Sequence, residues 1–198
     1  MRQFTSKRWP SLVAFVLVAA AYGRASAAIP APSDPSLFWI GNLCAPWLVL
    51  SFLAGRAQRS LPLAVLAGAL TDIACVVGFY FTFLSLDPSR FGLAGSTPLA
   101  TVALTSLGDW LRFTAQWLLA AVAGGALYGA LGLLWRRAHV LAAGLALALP
   151  FVAEPVLWIV REGRYEGPWP IWAVEVVVGL GVAAFAVARA GGAAQPRT

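Results

Sequence analysis

Apolar residues run through this chain in long blocks, separated by short polar or basic breaks. Blocks of about twenty apolar residues match the length at which an α-helix crosses the hydrocarbon of a bilayer. The pattern predicts six such spans, over about 10–29, 37–55, 61–84, 113–135, 140–160 and 170–188. The unit 38–84 sets the layout, because its two apolar blocks are joined by a basic turn carrying Arg56 and Arg59. The connection from 85 to 112 is the longest. Within it, 98–107 reads as a short interfacial or re-entrant helix, too short to span.

The first block carries two readings. It is either a retained transmembrane helix or a cleaved signal peptide. The second reading takes Arg2, Lys7 and Arg8 as its charged region and Ala25-Ser26-Ala27 as its cleavage site. Both place Ala31 on the outer side. In the second block, Pro46-Trp47 sits mid-span, where a proline frees a backbone carbonyl and kinks a helix. In the third, Gly68, Asp72, Cys75 and Thr82 fall on one helical face. The fourth carries a stripe of small residues, Ala121, Gly125, Gly129 and Gly132, which lets another helix approach closely. That helix belongs either to this chain or to a partner.

Composition narrows the class. The chain is 60% hydrophobic and 11% charged, against roughly 25% charged in soluble domains. Its net charge of +6 is not a nucleic-acid signature, because the basic residues are scattered among short loops and form no basic face. They read instead as a topology signal. Nine of the 14 Lys and Arg fall in segments that the six-span threading places inside, whereas no acidic residue does. The expected fold is therefore all-α: a polytopic bundle of six transmembrane helices in a single domain, 1–198, with both termini cytoplasmic. The expected location is the cell membrane, with multiple passes through the bilayer.

Five polar residues stand out inside the spans: Arg24, Asn42, Asp72, Glu154 and Glu175. Ionisable groups are costly there, so they face the bundle interior and pair or serve a function. Arg24, Asn42, Glu154 and Glu175 fall at a similar depth, roughly 8–10 Å below the outer interface. Asp72 is deeper, and Gln116 is a further candidate for the outer layer. In one reading the five pin helix packing, with Arg24 paired to a glutamate. In the other they line an outward-open polar pocket walled by Trp47, Trp117 and Trp172. One arginine against several carboxyls leaves an excess of negative charge, which points to a proton or cation as ligand.

Other chemistry is sparse. Cys44 and Cys75 lie inside apolar blocks, and the only histidine, His139, sits beside Arg136 and Arg137 at a span end. No metal site and no cofactor are expected. There is no G-x-S-x-G elbow, H-E-x-x-H motif or phosphate loop, which favours a protein that is not an enzyme.

The segments GNLCAPWLVLSFLAG, GFYFTFL and GGALYGALGLLWRR resemble a family of small bacterial multi-spanning membrane proteins to which no activity is assigned. The resemblance covers about 36–137 and is carried by Asn42, Pro46-Trp47, Gly55 and Gly78-Phe79-Tyr80. It implies a retained first helix and supplies no catalytic residues. In size, helix number and outward binding, the chain is also similar to the substrate-binding membrane subunits of energy-coupling-factor transporters. That likeness is architectural alone.

Three functions stay open from the sequence. The leading one is binding or transport of a small polar or cationic solute by Arg24, Asn42, Asp72, Glu154 and Glu175. The second is a non-catalytic assembly protein that docks a partner helix, or a second copy of itself, on the small-residue stripe. The third is an intramembrane hydrolase using Glu154 and Glu175. The lipid bilayer is a partner in all three.

Overall fold

A computed structural model describes residues 9–29, 43–86, 99–138, 140–162 and 169–193, and among these every regular element is an α-helix. The helices are α1 (Trp9–Ala28), α2 (Ala45–Arg56), α3 (Leu61–Leu86), α4 (Leu99–Ala138), α5 (Leu141–Glu162) and α6 (Trp169–Ala193). Five of them, all but α2, are long and apolar enough to cross a membrane. Their apolar side chains turn outward: Leu119 is 71% exposed and Val160 is 77% exposed. A water-soluble bundle would bury these positions, whereas lipid solvates them.

Two expectations need correction. The segment expected to span 37–55 lies partly outside the described residues; from Ala45 it forms the 12-residue helix α2, roughly 18 Å long. Pro46 lies in its first turn and not at mid-span. A missing N–H costs nothing there, because first-turn donors have no intrahelical acceptor. The second correction concerns 99–112, the described part of the connection 85–112. It is continuous with the fourth span in the 40-residue helix α4, roughly 60 Å long. No proline follows Pro98 in this stretch to break it, and Gly108 meets no neighbouring element.

Glycines set the helix contacts. A Cβ on Gly129 would collide with the Ala64 carbonyl, and one on Gly125 with the Gly68 carbonyl, so α3 and α4 meet backbone to backbone. On the same stripe, a Cβ on Gly132 would strike the Phe52 carbonyl of α2, and Gly55 of α2 lies against Gly129. The stripe on α4 is thus filled by α2 and α3 of the same chain. α1 packs on α3 in the same way, through Gly23 and Gly78, and is an integral part of the bundle. α5 and α6 pair with each other. They join the rest through a core of Phe52, Tyr128, Trp135, Ala143 and Ala186.

Prolines inside α5 leave backbone acceptors that lipid cannot satisfy. Pro150 has no N–H for the carbonyl of Ala146, one turn earlier. Tyr128 of α4 fills that gap: its hydroxyl donates to the Ala146 carbonyl at 2.7 Å. A break in one helix is thereby answered by a side chain from another.

Candidate functional site

The N-terminus of α2 begins the site. Cys44 is its N-cap residue and offers no side-chain cap. Of the first backbone donors, Pro46 has none, and the Trp47 N–H returns to the Cys44 carbonyl at 3.1 Å. The N–H groups of Cys44 and Ala45 remain. Glu154 of α5 takes both: Cys44 N–H donates to its two oxygens at 3.2 and 3.1 Å, and Ala45 N–H donates to Oε2 at 3.3 Å. The Cys44 thiol donates to Oε2 at 3.1 Å. A carboxyl at a helix N-terminus also meets the positive end of the helix dipole. Glu154, which is 6% exposed, therefore caps a helix more than one hundred residues away in sequence.

Glu175 of α6 is 4% exposed. It lies within electrostatic range of Glu154 and of the Cys44 thiol. Neither of its oxygens has a well-formed hydrogen bond among the described residues. The Trp47 indole N–H and the Ser51 hydroxyl, both on α2, are likewise buried without a hydrogen-bond partner among the described residues. Burying such groups unpaired is costly.

Of the four residues expected at one depth, the three that are described, Arg24, Glu154 and Glu175, do not all meet. Glu154 and Glu175 come together. Asp72 is buried against α4, where Gly124 and Gly125 leave room for it: a Cβ on Gly124 would lie 3.6 Å from its Oδ2, and one on Gly125 2.8 Å from its Cβ. Arg24 is exposed on α1, and Asn42 lies outside the described residues. Gln116 is exposed. Of the aromatic walls, Trp172 is buried and Trp117 is 43% exposed, its ring stacked on Tyr80 at 6.4 Å.

Sequence reasoning missed two participants. Cys44 matters through its backbone N–H, which no residue type reveals. Tyr22 of α1 is half-buried and within electrostatic range of both Cys75 and Glu154. The usable signal was its position one helical turn before Ser26 on an otherwise apolar helix, which puts both on one face.

Among the described residues, no group of three or more His, Cys, Asp or Glu is arranged to hold a metal ion. What the site offers is one carboxyl that holds two backbone N–H groups and a thiol, and a second beside it with no well-formed hydrogen bond among the described residues. Comparison with protein-family models, curated proteins and solved structures finds no match to this chain.

Proposed function

We propose that this chain is a membrane protein that binds a small cation within its bundle, as a carrier does, with the Glu175 carboxyl as the binding group. The observation that carries this reading is that neither buried oxygen of Glu175 has a well-formed hydrogen bond among the described residues, with the Glu154 carboxyl beside it. An ionised carboxylate in that position needs a compensating positive charge, and Arg24 is exposed on α1. The absence of a three-ligand metal group among the described residues favours a small monovalent or organic cation over a transition metal. In this reading both termini are cytoplasmic.

The alternatives have less support. The stripe of Ala121, Gly125, Gly129 and Gly132 that would dock a partner is occupied within the chain. For a hydrolase, Glu154 would have to give up its hydrogen bonds to α2 to act as an acid or base.

The test is thermal unfolding of the full chain in neutral detergent, titrated with sodium, potassium, ammonium, methylammonium and a polyamine. One of these raises the wild-type midpoint, and Glu175→Gln abolishes the shift. If none moves the wild type, cation binding is rejected and Glu175 is a neutral buried acid.

A further inference from the structure

The opposite end of the bundle from Glu154 carries a second feature, independent of the cation reading. Arg56 closes α2, Arg59 lies in the turn to α3, Arg136 and Arg137 close α4, and Arg189 lies near the end of α6. All five are exposed. Three contacts draw them to one rim. The Arg137 guanidinium donates to the Arg59 carbonyl, and Gly132, one turn before Arg136, abuts the Arg56 backbone. Arg189 lies over the Phe185 ring, 5.4 Å from its centroid, and that ring stands 6.4 Å from Trp135.

Nothing acidic accompanies them. Residues 35–71, 110–153 and 176–198 contain no Asp or Glu. Asp72, Glu154 and Glu175 lie between three and four turns up their helices, roughly 20 Å away. Five guanidiniums at one rim repel one another unless an anion sits among them. Arginine binds phosphate oxygens with paired N–H donors. Trp135 and Phe185 place an aromatic pair at the same level, as at a bilayer interface.

We propose that this rim is a binding site for the phosphate headgroup of an anionic phospholipid in the adjoining leaflet. Arg56, Arg59 and Arg136 are its donors that are free among the described residues. Arg137, tied to the turn, holds the two sides together, and Arg189 closes the far edge.

The experiment uses the full chain in nanodiscs of phosphatidylcholine with a minor fraction of phosphatidylglycerol, and measures by mass spectrometry which lipid stays bound on release. Wild type retains phosphatidylglycerol in preference to phosphatidylcholine, and added salt erodes that preference. Each of Arg56→Gln, Arg59→Gln and Arg136→Gln weakens it by roughly fivefold, whereas Arg112→Gln, at the other end of the apolar span within α4, leaves it unchanged. Equal retention of the two lipids by wild type, a preference untouched by salt, or a preference surviving the triple Gln variant overturns the site. Inorganic phosphate that displaces the lipid at concentrations comparable to the lipid's own would show a free-phosphate site instead and also overturn it. The wild-type selectivity and salt arms decide the matter even if the triple variant does not fold.

Discussion

Glu154 Oε2 accepts hydrogen bonds from both the backbone N–H and the thiol of Cys44, each at 3.1 Å, so one side chain of α5 fixes where α2 begins. In water, solvent would serve the first donors of a helix. In a bilayer only protein can. A short helix starting at Cys44 is therefore contingent on a carboxyl delivered by a distant helix.

Removing that carboxyl leaves the buried N–H of Ala45 and the part-buried N–H of Cys44 without acceptors. Glu154→Ala lowers stability by about 2–3 kcal/mol, and Glu154→Gln, which keeps one acceptor oxygen, by less. Thermal unfolding in detergent ranks the three proteins. Equal midpoints for wild type and the alanine variant would show that the cap contributes nothing.

Tyr128 and Pro150 should be energetically coupled. Tyr128→Phe strips the Ala146 carbonyl of its donor and costs about 1 kcal/mol. Pro150→Ala restores an N–H at the position that ordinarily serves Ala146. In that background Tyr128→Phe is close to neutral, and a double-mutant cycle measures the difference. Additive effects would contradict the proposed compensation.

Glycines in this protein divide sharply. Gly129→Ala drives a methyl into the Ala64 carbonyl and separates α3 from α4, at a cost of several kcal/mol. Gly181→Ala, with nothing within 4 Å, gains helix propensity of up to about 1 kcal/mol. The yield of monodisperse protein and its unfolding midpoint read both. A Gly129→Ala variant that behaves as wild type would place α4 differently.

Glu175→Gln removes a buried group that needs compensation when charged. The cation-free variant is at least as stable as wild type, by up to about 2 kcal/mol, in contrast to the loss at Glu154. A marked loss at Glu175 would mean that its oxygens hold a partner in the folded protein.

The sequence by itself determined the solvent and most of the spans. A run of apolar residues long enough to cross hydrocarbon is a local property, so the five helices at Ser11–Ala28, Leu61–Thr82, Thr114–Ala138, Leu141–Val160 and Trp169–Gly191 were legible from composition along the chain. The small-residue stripe was legible too, as a surface built for close approach. Which helix fills it was not, because Gly68 and Phe52 meet it only once the chain has folded back. Depth along a helix placed Arg24 beside Glu154 and Glu175, but depth says nothing of azimuth, and packing turned Arg24 outward. Tertiary structure alone decided the start of α2 and the engagement of Glu154. Both depend on a hydrogen bond between residues 110 positions apart, and no local pattern encodes such a contact.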